Sequence, residues 1–170
     1  RRGLIQFAGK DVTVIGPDLK KGDIAPDANL LQADWSSFSL MADTAGQVRI
    51  IGSLLSLNTS VCDRETRRFT QEAAAIGDRV VILMVSMDLP FMIKNWCAAA
   101  GIDQAITLSD HVKAEFGARY GLLVEEYRIL RRAIFVVDQN DRIVYVEYMP
   151  AFGDEPDYTA VVQAARRALE

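Results

Sequence analysis

Apolar and polar positions along the chain follow two rhythms, and the switches between them mark the elements. Near the N-terminus, LIQFAG (residues 4–9) and VTVIG (12–16) read as two short strands around a turn. The next stretch, GDIAPDANLLQAD, is punctuated by Gly, Pro, Asp and Asn and predicts a loop running into a short strand. VRIIGSLLSL, residues 48–57, is apolar almost throughout, as a strand covered on both faces is. From Ser60 the period becomes helical: Cys62, Phe69, Ala73 and Ile76 stand 7, 4 and 3 positions apart, on one face of a helix that Gly77 ends. DRVVILMVSM is a second buried strand. DLPFMIKNWCAAAG has Pro near a first helical turn and Gly at its end, so a helix is expected. AITLS then reads as a short strand, DHVKAEFGARYG as a helix, and RRAIFVVDQNDRIVYVEYM as a hairpin turning at QND. EPDYTAVVQAARRAL closes the chain as an amphipathic helix with Val161, Val162, Ala165 and Leu169 on its apolar side.

The order is a strand pair, then βαβα, then βαββα. Alternating buried strands and helices predict an α/β fold: a central mixed sheet flanked by helices, preceded by an N-terminal β-hairpin. A βαβ start closed by a hairpin and a helix is the arrangement of thioredoxin-like domains. No internal repeat, linker or low-complexity stretch interrupts the pattern, so residues 1–170 are expected to form a single domain.

Composition narrows the function classes. Half of the 170 residues are apolar and a quarter charged, enough for a core that needs no staples. The net charge of -4 argues against nucleic acid as a partner, since binding phosphates calls for a basic face. Two arginine clusters, Arg64/Arg67/Arg68 and Arg128/Arg131/Arg132, have acidic neighbours, and most of these residues read as solvated faces. No apolar run approaches the roughly 20 residues of a membrane helix, so no membrane partner is expected. The opening RRGLIQFAG lacks the long apolar stretch and cleavage pattern of a signal peptide, and a cytoplasmic location is expected. The chain opens on Arg rather than Met, which leaves room for an upstream segment.

Candidate chemistry is sparse. Two cysteines do not make a disulfide scaffold, and Cys62, Cys97 and the lone His111 would still leave a zinc ion short of a ligand. No nucleophile-elbow glycines flank a serine for His111 to serve, and His111 reads as a polar surface residue. Cys62 stands out by its place. It sits in the first turn of a helix directly after a buried strand, with Thr59 or Ser60 as N-cap. There the free N–H groups and the dipole favour thiolate over thiol. A cysteine on an apolar helical stripe equally suits an inert core sulfur. Cys97, with 34 residues between it and Cys62, is too far along the chain for C-x-x-C chemistry. The spacing suits a pair that meet after a rearrangement, because a disulfide needs the Cα atoms within about 7 Å. Such a pair fits attack of one thiolate on an O–O bond, then condensation of the sulfenic acid with the second thiol. That reaction calls for donors on the peroxide oxygens, such as an Arg and a Thr hydroxyl, and needs no cofactor, metal or His.

At this point the residues resemble a known family. SLNTSVCDRETRRF is similar to the peroxidatic motif of peroxiredoxins, Pro-x-x-x-Thr-x-x-Cys, and SMDLPFMIKNWCAAAGI resembles the resolving-cysteine segment of the thiol peroxidases, or atypical two-cysteine peroxiredoxins. The likeness continues through AITLSD, AEFGARYG, RRAIFVVDQNDRIVYVEY and EPDY, nearly the whole chain. The resemblance implies Cys62 as peroxidatic nucleophile, Thr59 as its hydrogen-bonding partner and Cys97 as resolving cysteine in the same chain. It implies Arg132, just before AIFVVD, as the active-site arginine that with Thr59 binds the substrate. Strand alternation sends Arg131 to the opposite face, where an exposed edge charge is expected. The resemblance further implies a thioredoxin-like fold, a homodimer, hydrogen peroxide and small organic hydroperoxides as substrates, and thioredoxin as reductant.

One position departs from the pattern. Leu55 stands where the family motif has Pro, which restores an N–H, frees φ and implies reduced rather than lost activity. Asn58, where many members carry Asp, changes one nearby charge. The alternative readings are a redox-sensing or binding protein whose Cys62–Cys97 pair turns over weakly because of Leu55, and a catalytically dead domain that forms no such disulfide.

Overall fold

The computed structural model describes residues 1–101 and 105–170, the side chain of Ala73 excepted, so its expected place on the helix face lies outside the described residues. The N-terminal hairpin forms as expected: β1 (Arg2–Phe7) pairs antiparallel with β2 (Lys10–Ile15). Ala8 and Gly9 make the two-residue turn with φ of 52° and 77°, the doubly positive geometry that matches the twist of the strands. Next in order come β3 (Asn29–Leu31), β4 (Ser37–Ser39), β5 (Val48–Ser53), α1 (Ser60–Ile76) and β6 (Val80–Ser86). They are followed by α2 (Pro90–Ala100), β7 (Ala105–Ser109), α3 (Glu115–Arg119), β8 (Leu123–Val124) and β9 (Ile129–Leu130). The chain closes with β10 (Ala133–Val137), β11 (Ile143–Tyr148) and α4 (Tyr158–Ala168).

The main sheet runs β11-β10-β5-β6-β7-β3-β4, with β5, β6 and β7 parallel and the other pairings antiparallel. Period-two alternation divides its side chains between two layers. Val48, Ile50, Ile82, Met84, Ile134 and Val136 pack with Phe69 of α1, Ile93 of α2 and Val161 of α4. Ile51, Leu83, Val85, Phe135 and Val137 face the other way, onto Phe116 of α3, Leu30 and Tyr120. The sheet is thus covered on both faces, as the apolar strands predicted.

Three expectations need correction. The strand expected over 48–57 stops at Ser53: Leu54 still donates to the Val85 carbonyl, but from Ser56 the chain is drawn off the sheet by Asp88. The helix expected in DHVKAEFGARYG is only Glu115–Arg119. Ala114 takes φ of 54°, which breaks any helical run before it. The Asp110 carboxylate then accepts the N–H groups of Phe116 and Gly117 at 3.2 and 2.8 Å and starts the short helix. Finally, β8 and β9 lie outside the elements that the sequence predicts. Two residues each, they are too short to show a period, yet they extend the N-terminal hairpin to a four-stranded sheet β1-β2-β8-β9.

Candidate active site

The link from β5 to α1 emerges at the C-terminal end of the parallel strands. Asp88, just after β6, holds it: the Ser56 hydroxyl donates to Oδ1 at 2.7 Å and the Leu57 N–H to Oδ2 at 2.9 Å. Thr59 is the N-cap, its hydroxyl accepting the Cys62 N–H at 3.3 Å while donating to the Ser56 carbonyl at 2.9 Å. Its described hydrogen bonds therefore go to backbone, including that of Cys62, and not to the Cys62 sulfur. Cys62 occupies the third position of α1 with 0 % exposure. Leu55 packs half-buried against the same apolar cluster.

Register explains how a residue 70 positions away reaches this sulfur. β10 runs antiparallel to β5 with Ala133 opposite Ser53, so the residue before Ala133 lies beside the loop that follows Ser53. The Arg132 Nη1 donates to Cys62 Sγ at 3.1 Å. The other arm of the fork, Nη2, pairs with Glu65 Oε2 one helical turn beyond Cys62. Arg132 and Glu65 are each 1 % exposed. Glu65 Oε1 and Arg132 Nε have no hydrogen-bond partner among the described residues. Burial pushes the Glu65 carboxyl up to about 8 against the pull of Arg132, and Glu155 and Glu147 push the same way. A guanidinium held dry against a sulfur stabilises negative charge on that sulfur or on an oxygen bonded to it.

Arg131 points away from Cys62, as alternation predicts, but it is not the exposed edge charge expected. It is 6 % exposed, donates from Nη1 to Asp18 Oδ1 at 2.9 Å, and stacks 4.4 Å above the Tyr148 ring. Ion pairing and ring stacking offset its desolvation. The solvated-face reading holds for Arg67 and Arg68, paired with Asp63 and Glu72 along α1.

Cys97 lies late in α2, half-buried, with its Sγ 3.1 Å from the Thr107 hydroxyl of β7. Both cysteines are free thiols, Cys62 held by Arg132 just before β10 and Cys97 by Thr107 of β7. What bridges the two helices is the pair of residues beside them. Trp96 Nε1 donates to Asp63 Oδ1 at 2.9 Å, and Arg67 lies 5.9 Å over the Trp96 ring. The structure thus gathers Cys62, Thr59 and Arg132 at one point and holds Cys97 on the neighbouring helix. Sequence reasoning missed the Glu65–Arg132 pair, Asp88 and the Asp63–Trp96 bond. Only Glu65 left a signal: it is a carboxylate three residues after Cys62 and four before Phe69, on the inward stripe. His111 meets Ser109 and the edge of Trp35 and takes no part. Among the described residues no group of three or more His, Cys, Asp or Glu is placed to hold a metal, and no helix is long and apolar enough to cross a membrane.

Known proteins resemble this chain over most of its length. The Redoxin family profile matches residues 20–162. A thiol peroxidase of Oceanobacillus iheyensis is 49% identical over 158 residues, covering 93% of this chain and 95% of that protein. A thiol peroxidase of Bacillus subtilis is 44% identical over 166 residues, 98% of each chain. Among solved structures, a peroxiredoxin-like protein from Aquifex aeolicus superposes with a TM-score of 0.87 at 33% identity, over 96% of both chains.

Proposed function

The chain belongs to the Redoxin family, with a thioredoxin-like fold, and is a thiol-dependent peroxidase; on that premise we propose that Cys62 is its nucleophile, Arg132 and Thr59 its site partners, and Cys97 its resolving thiol. The Cys62 thiolate attacks the terminal oxygen of hydrogen peroxide or a small organic hydroperoxide. An S–O bond forms as the O–O bond breaks, and the departing oxygen takes a proton. Arg132 opposes the charge that moves from sulfur to oxygen. Thr59 keeps the first turn of α1 in place through the Cys62 N–H, and its hydroxyl binds the substrate by turning its proton away from the Ser56 carbonyl. The Cys62 sulfenic acid then condenses with Cys97, releasing water and leaving an intramolecular disulfide. Thioredoxin, in the cytoplasm, returns both thiols by exchange. The working unit in this reading is a homodimer of the single 1–170 domain. The exposed apolar side chains Trp35, Phe91 and Val112 support an assembly of that kind.

The observation that carries this reading is the 3.1 Å contact from a buried guanidinium to a buried sulfur at a helix N-terminus. The test is to mix reduced protein with sub-stoichiometric hydrogen peroxide and analyse the products by mass spectrometry. Wild type is expected to form the Cys62–Cys97 disulfide, Cys97→Ser to stall at a Cys62 sulfenic acid, and Cys62→Ser to consume no peroxide, since a hydroxyl without a base is a poor nucleophile. Turnover by Cys62→Ser would sink the assignment.

A further inference from the structure

The peroxidase chemistry uses one face of the Arg132 guanidinium and leaves a buried carboxyl on the other unexplained. We propose that Glu65 is a positioning residue for Arg132, competing with Cys62 for the one guanidinium they share so that ionisation of Glu65 weakens the arginine's hold on the sulfur. This rests on the reading of Cys62 as nucleophile.

The geometry is a line of three groups. Cys62 Sγ and Glu65 Oε2 contact the two terminal nitrogens of the same arginine, and all three residues are at most 1 % exposed. One fixed positive charge thus faces two groups that can each become negative, away from water that would screen them. Neutralising one anion leaves little for the second, because an unpaired buried charge is costly. The surroundings tilt the competition. Toward Glu65 face Cys62 from its own helix, Arg132 from the segment before β10, Glu147 from β11, Glu155 from the loop before α4, and Tyr158 from α4. Arg132 is the cation among these. Arg64, which pairs with Glu155 at 3.7 Å, sits on the exposed side of α1.

Glu65 therefore keeps its proton through neutral pH, with its carboxyl raised to about 8. In that state it accepts from Nη2, fixes the plane of the guanidinium, and leaves the positive charge to Cys62. When it ionises, its carboxylate draws the arginine's charge away from the sulfur. Because Oε2 accepts from Nη2, the proton of the neutral carboxyl sits on Oε1, which has no hydrogen-bond partner among the described residues.

The experiment follows oxidation of reduced protein by sub-stoichiometric hydrogen peroxide in stopped flow, from about pH 6 to about pH 9.5, for wild type, Glu65→Gln and Glu65→Met. The wild-type rate should fall roughly tenfold above about pH 8, a fraction of the effect of losing an oxyanion-type donor outright. Glu65→Gln, which keeps the acceptor and removes the titration, should hold its plateau across the alkaline range. Glu65→Met should also lack the alkaline fall but run slower throughout, because Arg132 loses its second anchor. Should Gln at this position disturb folding, the volume-matched Met carries the same comparison. An alkaline fall that persists unchanged in the two variants, or is missing from wild type, overturns the proposal. Cys62→Ser in the same series separates the two levels: peroxide consumption by it overturns the nucleophile assignment itself, whatever Glu65 does.

Discussion

Trp96→Phe should speed formation of the Cys62–Cys97 disulfide without changing the first attack on peroxide. For the two sulfurs to meet, Cys62 must leave Arg132, Cys97 must leave Thr107, and α1 and α2 must shift relative to each other. The bond from Trp96 Nε1 to Asp63 Oδ1 at 2.9 Å ties these helices beside the two cysteines, and opening breaks it. A hydrogen bond to a charged acceptor contributes about 1.5–3 kcal/mol. The Asp63 side chain is 33% exposed and shared with Arg67, so solvent screening brings the net value to about 1 kcal/mol. Phe keeps an aromatic ring under Arg67 and removes the donor with part of the indole's packing, while Asp63 keeps Arg67 at 2.9 Å and strands no buried charge. A loss of about 1 kcal/mol from the closed state alone raises the open population about fivefold. Resolution that waits on this opening speeds by the same factor. The assay is sequential mixing with an acid quench, maleimide labelling and mass spectrometry of sulfenic and disulfide forms over time. A second reading comes from excess peroxide, where faster resolution should lower the fraction of Cys62 driven to sulfinic acid. An unchanged resolution rate in a variant whose urea midpoint shows the bond's loss would refute the reasoning, because α2 would then not move in this step.

Two further outcomes are expected. Leu55→Pro should raise the rate of Cys62 oxidation severalfold in stopped flow, since Pro limits the loop ahead of Thr59 to fewer backbone states; a rate at or below wild type would show that Leu55 already shapes the loop well. Asp110→Ala should cost about 1–3 kcal/mol for each of the two amides it orphans, read from urea unfolding. Burial raises the Asp110 carboxyl to about 6, so the native state holds this proton longer than the unfolded chain does. The stability it lends is full below the unfolded value near 3.8 and is lost as pH rises through about 6, and that slope should be missing from the Ala variant.

Elements with a long apolar period were readable from the sequence, and so was the place of Cys62 at the join between β5 and α1. Helix ends were readable where a residue type enforces them: Pro90 opens α2, and Gly77 and Gly101, with φ of 99° and 65°, follow the ends of α1 and α2. Features set by single long-range hydrogen bonds were not. The strand expected to run to residue 57 ends early because Asp88 grips Ser56 and Leu57 from 31 or more residues away. The arginine beside the sulfur could be picked only through the family resemblance, which points to the residue before AIFVVD. That its neighbour is buried under Tyr148 could not, because Asp18 and Tyr148 reach Arg131 only through the folded topology.

The two proposed steps of the cycle make opposite demands, and the packing separates them. Attack needs a dry, fixed guanidinium. Arg132 sits at the head of a central strand, its carbonyl accepting Met149 N–H at 3.0 Å and the next residue paired to Ser53. The backbone there is tied into the sheet, and the guanidinium is held between Cys62 and Glu65. Resolution needs a thiol that can leave its place, and Cys97 is on the helix least committed to the core. The fully buried side chains of α2 are Pro90 and Ile93 in its first half, and its N-cap, Leu89, offers no side-chain acceptor. α4, of the same length, buries Val161, Val162 and Ala165 and is capped by Asp157. The C-terminal half of α2, which carries Cys97, depends on the Trp96 and Thr107 contacts. Low local stability confined to that half-helix lets the resolving thiol travel while the charge that drives the first step stays fixed. Cys62 is then the moving part on the other side: the first turn of α1 is held by the Thr59 cap and by Arg132, whose pull on the sulfur ends once the thiolate has become a neutral sulfenic acid. Oxidation itself therefore loosens the contact that kept the nucleophile in place, and the order of the two steps follows from the charge on one sulfur.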